Sequence, residues 1–324
     1  MQNSTLAMVV DAKGNSPTLQ PLDQFSTAAD CLRVKVNACA LNFADLLMIE
    51  GRYQDMPPYP LVPGMEISGD VLEIGSDVTD FAPGDKIVGF CGHGGLAQEV
   101  CVAANRCILR PDTMDDVTGA AFPIAYGTSH LGLTRRARLA PGERLVVLGA
   151  GGGVGLTAVE IGAQLGAEVI AIARGSEKLD AAKAAGAQVL IDSSTVDDLR
   201  QAILDVSQVD VIYDPVGGEL GTAAARCLAP EGRHLLIGFA SGDVTALKAN
   251  HMLVKNTEAI GFYWGGYLTF RPDLLTDSLS TLMDWHAEGH IKPHVSHVLP
   301  LERANEGLQI LRSRTATGKV VITP

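Results

Sequence analysis

A chain of 324 residues with a net charge of −12 and 47% hydrophobic residues is long enough for two ordinary domains and too apolar to be disordered. Its acidic balance repels phosphate backbones and argues against nucleic acid as a partner, so any phosphate site has to be built locally. No run of 18 apolar residues occurs, which excludes an apolar membrane helix.

The six cysteines, Cys31, Cys39, Cys91, Cys101, Cys107 and Cys227, form no C-x-x-C pair. Residues 1–11 lack a charged start followed by a long apolar run. The expectation is a cytoplasmic protein with reduced thiols.

Up to about residue 124 the chain reads as strands and turns. Residues 31–40 and 67–74 are rich in β-branched side chains, with Pro57, Pro58, Pro60, Pro63 and the Pro83-Gly84-Asp85 turn as punctuation. Residues 42–51 hold a short apolar-periodic run, read as one helix. This region predicts an irregular, partly open β-barrel. Near Ala120 the pattern changes. Residues 121–138 have helical periodicity, and Pro141-Gly142 ends it. Apolar strands are then predicted at 145–148, 168–173, 189–191, 209–213 and 234–237. Helices lie between them at 154–165, 176–185 (capped by Ser176), 197–206 and 220–228. Alternation at this spacing predicts a doubly wound parallel sheet, an α/β fold. Helices at 273–288 and 303–312 and a strand at 319–322 follow.

The segment Gly149-Ala150-Gly151-Gly152-Gly153-Val154-Gly155 leaves a strand and opens a helix. A dinucleotide pyrophosphate needs that context: glycines let the backbone approach, and the helix start offers free N–H groups. Gly151, Gly152, Gly153 and Val154 are therefore cofactor candidates. An acidic residue after the second strand would select NAD. Here Arg174, Ser176 and Lys178 stand there instead, which suits a 2′-phosphate and points to NADPH. Glu177 falls in the next helix's first turn, where a carboxylate suits the dipole.

These residues resemble the medium-chain dehydrogenase/reductase superfamily, and within it the zinc-free quinone oxidoreductase (zeta-crystallin-like) branch. The likeness covers nearly the whole chain. It is carried by Asn42-Phe43-Ala44-Asp45 with Gly51-Arg52-Tyr53, Pro63-Gly64-Met65-Glu66-Ile67-Ser68-Gly69, Gly94-Gly95-Leu96-Ala97-Gln98-Glu99, Tyr126-Gly127-Thr128, Asp214-Pro215-Val216-Gly217-Gly218 and the final Gly318-Lys319-Val320-Val321-Ile322. The resemblance implies a GroES-like catalytic domain over residues 1–124 and 267–324. It places a Rossmann NADPH-binding domain at 125–266 and implies a homodimer. It also implies cofactor contacts at Thr128, Gly238, Phe239, Phe262, Tyr263, Trp264, Arg314 and Lys319. One departure is Asp192-Ser193, where many relatives carry a tyrosine after the aspartate.

Zinc-dependent relatives place Cys and His where this chain has Asn42 and Met65. An amide and a thioether are poor zinc ligands, so no metal is expected. Without a Lewis acid the acceptor has to take hydride readily, as a quinone or an α,β-unsaturated carbonyl does. Asn42 and Asp45 are candidates to orient that acceptor and Tyr53, and the proton comes from Tyr53 or from solvent. Two other readings stay open. One is an enoyl-CoA or enoyl-thioester reductase, for which Arg52, Arg135 and Arg136 are the basic candidates. The other is an NADPH-binding, crystallin-like protein with vestigial activity.

Overall fold

The computed structural model describes residues 4–23 and 25–324; Met1, Gln2, Asn3 and Gln24, which fall inside the expected first domain, lie outside the described residues. The chain divides into two compact units. One comprises Met1–Ile124, Leu279–Ala287 and Pro293–Pro324, the other Ala125–Ser278 and Glu288–Lys292.

The first unit is built on a seven-stranded sheet. Its path runs Val295–Pro300, Lys319–Thr323, Cys31–Leu41, Glu66–Ile74, Lys86–Phe90, Cys107–Leu109, with Glu99–Ala103 paired to Cys31–Leu41 off this path. The path does not close among the described residues, in keeping with a partly open barrel. Cys31–Leu41 shows how the sequence sets its register. At first Leu32, Val34 and Val36 are buried while Arg33 and Lys35 alternate outward. From Ala38 both faces are buried, because Ala120, Ala121 and Val321 pack against Ala38 and Ala40. The last strand pairs Val320, Val321 and Ile322 with Leu41, Ala40 and Cys39, so the end of the chain completes the sheet. An antiparallel pair, Thr5–Val9 with Thr18–Leu22, has no counterpart among the predicted elements. Its second strand is largely exposed and so carries little inward–outward alternation.

The second unit is a six-stranded, wholly parallel sheet. Its order is Val189–Asp192, Glu168–Ala173, Arg144–Leu148, Val209–Asp214, Leu228–Leu236, Glu258–Gly261. Numbered along the chain this is 3-2-1-4-5-6, the doubly wound dinucleotide-binding order. Val146, Leu148, Ile170, Ile172, Ile203 and Ile212 form its core with the flanking helices. Each such side chain contributes roughly 1.5–3 kcal/mol by leaving water.

Three boundaries differ from expectation. The helix placed at 220–228 is Gly218–Ala225, and Leu228 already begins the next strand opposite Val209. Gly217, at φ 73°, turns the chain into that helix early. The expected 121–138 helix is Pro123–Leu131 followed by a π-helical turn, Gly132–Arg136. The chain returns to the first unit at Leu279 rather than 267. Tyr267 packs edge-on against Phe262 and Ser278 bonds His130, which holds the intervening residues to the second unit.

Candidate active site

In the second unit the strand order reverses between Arg144–Leu148 and Val209–Asp214. Ligands of open α/β sheets sit at the carboxyl ends of strands at such a point. Two turns meet there. Gly149, at φ 62°, lies so close to Val216 that a Cβ would fall 2.9 Å from Val216 Cγ2. Gly152 is the N-cap of the helix Gly153–Gln164. A Cβ on Gly152 or Gly238 would meet nothing nearer than 3.4 Å and 3.5 Å, respectively, so both backbones are open to a ligand's approach. The helix is tied in place from below. Thr157 Oγ1 donates to Ala125 O at 3.0 Å and shares a hydrogen with Ser129 Oγ at 2.7 Å; Ser129 Oγ in turn lies 3.0 Å from Tyr213 OH. This buried chain fixes the helix carrying Thr128 against the helix carrying Val154.

At the end of Glu168–Ala173 the backbone turns through Gly175, at φ 83°, whose N–H donates to Asp192 Oδ1 at 3.2 Å. Hydrogen bonds from Ser194, then from Gly175, and the nearby Arg174 guanidinium hold the Asp192 carboxyl below the ordinary carboxylate range, against a smaller desolvation effect. Gly175, not Ser176, occupies the N-cap; Ser176 is the first helical residue. Arg174 and Ser176 are exposed. Lys178 lays its stem over the glycine loop, so that a Cβ on Gly151 would sit 2.5 Å from Lys178 Cβ. One cationic residue is thus packed directly on the phosphate-type loop, with Arg174 four residues before it.

The aromatic candidates divide by burial. Phe262 and Trp264 are buried, Trp264 against the Cα of Gly127, and both belong to the unit's interior. Phe239 and Tyr263 each keep about 40% of their surface exposed.

In the first unit, Asn42 ends Cys31–Leu41 in extended geometry and caps the helix Phe43–Ile49. Asp45, three residues on, accepts the Asn42 N–H at 2.7 Å and the Gly64 N–H at 2.8 Å. It is fully enclosed. Burial pushes its carboxyl up to about 6; the two N–H bonds and Lys319 oppose that rise, and Glu66 adds to it. Asp45, expected to help orient an acceptor and Tyr53, has no exposed surface, and its carboxylate ties the start of the helix to the Gly64 turn.

Lys319, expected to contact the cofactor, is buried and hydrogen-bonded within the first unit. Its Nζ donates to Leu41 O at 2.9 Å, Asn42 Oδ1 at 2.8 Å and Glu66 Oε1 at 2.8 Å. All three ammonium hydrogens are spent within this unit, leaving none for a cofactor. Asn42 Nδ2 donates to Glu66 Oε1 at 2.9 Å and Ala40 O at 3.3 Å. Glu66 Oε2 accepts the Ile124 N–H at 2.7 Å. Both amide hydrogens of Asn42 are therefore engaged, and it holds none to donate to a carbonyl acceptor. Glu66, which sequence reasoning leaves without a role, is the buried carboxylate that joins Asn42, Lys319 and Ile124. Its signal is a carboxylate at the first, buried position of the strand Glu66–Ile74, three residues after Pro63.

The same cluster tests the donor set for zinc. Asn42 is engaged, Met65 is a buried thioether, and an ammonium occupies Glu66. A cation at that carboxylate competes with a metal for it, and the set does not fit zinc. Among the described residues no three His, Cys, Asp or Glu side chains group as metal ligands. Burial lowers the pKa of His93 and His130, and His130 Nδ1 is shared with Ser278 Oγ at 2.7 Å. Tyr53 is half-buried in the loop after Phe43–Ile49, and Arg314 is the exposed left-handed C-cap of Ala304–Ser313. Arg52 is bound to Glu50 at 3.0 Å and Arg136 to Gly261 O at 3.1 Å.

A family model described as alcohol dehydrogenase GroES-like domain matches residues 28–112, and one described as zinc-binding dehydrogenase matches 185–322. A quinone oxidoreductase-like protein 2 homolog from Nematostella vectensis is 38% identical over 308 residues, covering 93% of this chain and 84% of that protein. The Bos taurus quinone oxidoreductase-like protein 2 is 37% identical, covering 90% and 84%. Among solved structures, a mycobacterial protein complexed with NADPH superposes with a TM-score of 0.92 at 26% identity, covering 99% of this chain and 100% of that one. A Pseudomonas syringae quinone oxidoreductase shares the fold, with a TM-score of 0.91 at 24% identity over 99% and 100% of the two chains.

Proposed function

The chain belongs to the quinone oxidoreductase branch of the medium-chain dehydrogenase/reductase superfamily, and from that premise we propose that it is an NADPH-dependent, zinc-independent reductase of quinones or other α,β-unsaturated carbonyls. The observation that carries the reading is Lys178 packed on Gly151 in the glycine loop at the sheet's switch point. The pyrophosphate would lie on Gly151, Gly152, Gly153 and Val154 at the helix start. Arg174, Ser176 and Lys178 would face the 2′-phosphate, with Arg314 a further candidate. Gly238, Phe239, Tyr263 and Thr128 would line the nicotinamide side.

When bound, NADPH supplies the hydride; the chain supplies position and a proton. Tyr53 is the candidate proton donor, with solvent the other source. The Asn42–Glu66–Lys319 cluster, its hydrogen bonds closed on one another, would act by holding the start of the helix Phe43–Ile49 in place. A conjugated acceptor delocalises the arriving negative charge over its own oxygen, so it needs no Lewis acid. The Arg52–Glu50 and Arg136–Gly261 contacts leave these two arginines partly neutralised or engaged, which disfavours them as a CoA-phosphate site. The reading includes a homodimer in the cytoplasm. Among the described residues, no helix is long and apolar enough to cross a membrane.

The test is NADPH consumption against a quinone series before and after dialysis with a chelator. Turnover that survives chelation supports the reading. Turnover abolished by chelation and restored by zinc contradicts it.

A further inference from the structure

We propose that Asp214 is a positioning residue which, through Thr245 and His234, pins the segment 237–245 against the turn 214–218 and so sets the affinity for the dinucleotide. This rests on the dinucleotide reading above.

Asp214 ends the fourth strand of the parallel sheet and is fully buried. Its carboxylate accepts four hydrogen bonds. Val216 N–H and Gly217 N–H donate to Oδ1 at 3.0 Å and 2.8 Å, shaping the turn. Thr245 Oγ1 donates to Oδ2 at 2.9 Å, and His234 Nε2 lies 2.9 Å from the same oxygen. Although burial acts to raise it, the bonds from His234, Gly217 and Thr245 together hold this carboxyl below the ordinary range. It is therefore the ionised, acceptor-only form that receives these donors, and His234 carries its shared hydrogen on Nε2. Among the described residues His234 Nδ1 is buried with no hydrogen-bond partner, so the ring's hydrogen bond there is the one to Asp214.

The segment after the fifth strand has no regular structure from 237 to 248. It lies on the turn through Ile237 N–H to Asp214 O at 2.9 Å, Ala240 N–H to Pro215 O at 3.1 Å and Ser241 N–H to Val216 O at 2.8 Å. A Cβ at Gly217 would fall 2.5 Å from Asp243 O and 2.7 Å from Phe239 Cδ1. The segment is therefore seated directly on backbone. Of the described residues between Leu235 and Ile260, Thr245 alone is buried; its neighbour Val244 is 68% exposed. The Thr245 hydroxyl, with the Ala246 N–H donating to Thr222 Oγ1 at 3.0 Å beside it, anchors the far end of a stretch that otherwise lies at the surface. Gly221 confirms how tightly: a Cβ there would overlap both Asp214 Oδ2 and Thr245 Oγ1. The anchored segment carries Gly238 and Phe239, and its turn abuts the glycine loop through Val216 and Gly149. Releasing the anchor frees one wall of the cofactor site while leaving the sheet intact.

The experiment uses the full chain, with Thr245→Val to remove the hydroxyl at constant shape and Thr245→Ser to restore it. Two quantities are measured: amide hydrogen exchange of the 237–246 segment without cofactor, and NADPH affinity by direct titration. A hydrogen bond to a carboxylate is strong enough for about tenfold or larger effects. Thr245→Val is expected to speed exchange of this segment and weaken NADPH binding by about tenfold, with exchange of Arg144–Leu148 and Glu168–Ala173 unchanged. Thr245→Ser is expected to restore both. Wild-type exchange in Thr245→Val overturns the proposal, as does faster exchange with unaltered NADPH affinity. A wild-type chain that binds no NADPH at all also overturns it, by removing the dinucleotide reading itself.

Discussion

Lys319 Nζ donates to Glu66 Oε1 at 2.8 Å, with the two side chains 6% and 0% exposed. The pair joins the last strand of the chain to a strand some 250 residues earlier, and both partners also hold Asn42. A buried charge that loses its partner is more costly than the pair was favourable, by about 3–5 kcal/mol. Lys319→Met is therefore expected to lose stability of that order in urea unfolding. Adding Glu66→Gln, which keeps an acceptor for Ile124 N–H, is expected to recover a large part of it. A double variant no more stable than Lys319→Met would contradict the pairing.

Arg174 and Lys178 bear on the choice of cofactor. Removing both by Arg174→Ala and Lys178→Ala is expected to weaken NADPH binding by about tenfold or more, since charge-assisted contacts to a phosphate are each strong enough for that. NADH, which lacks the 2′-phosphate, is expected to shift by no more than about twofold. Titration of each dinucleotide reads this directly. Equal losses for both would detach these residues from the 2′-phosphate.

Asp45 gives a pH dependence with a definite sign. Its folded value of about 6 lies above the ordinary 3.8. Its titration therefore favours the fold most below pH 4, and that contribution is lost as pH rises through 6. A difference of this size corresponds to roughly 3 kcal/mol. Asp45→Asn removes the titration, so the stability advantage of wild type over the variant is expected to be larger at pH 4.5 than at pH 7.5. An advantage that shrinks on acidification would reverse the assignment.

Tyr53 is proposed as the proton donor, with solvent as the alternative source. If the phenol delivers the proton, Tyr53→Phe is expected to lower kcat by about 100-fold with KM little changed, within the usual range for general-acid catalysis. Unchanged turnover would leave solvent as the source.

Much of the second unit was legible in the sequence because its signals are local. Glu168–Ala173 is an uninterrupted apolar run between turns, and the glycine loop is contiguous. Both were placed to within a residue. The first unit was less legible. Thr18–Leu22 is mostly exposed and gives no periodicity. The motif at 318–322 points Lys319 to a cofactor, whereas its three acceptors lie at Leu41, Asn42 and Glu66. No local pattern reports a contact across 253 to 278 residues. For the same reason Asp214 could be read as a turn residue, but not as the acceptor for His234 and Thr245.

The central claim is most directly tested by following NADPH oxidation by the purified full chain. The panel comprises 1,4-benzoquinones, medium-chain enones and crotonyl-CoA, each repeated with NADH. Turnover of quinones or simple enones, with NADPH preferred over NADH and crotonyl-CoA much poorer, is the predicted result. Crotonyl-CoA as the best acceptor, or tight NADPH binding with no turnover of any acceptor, would contradict it.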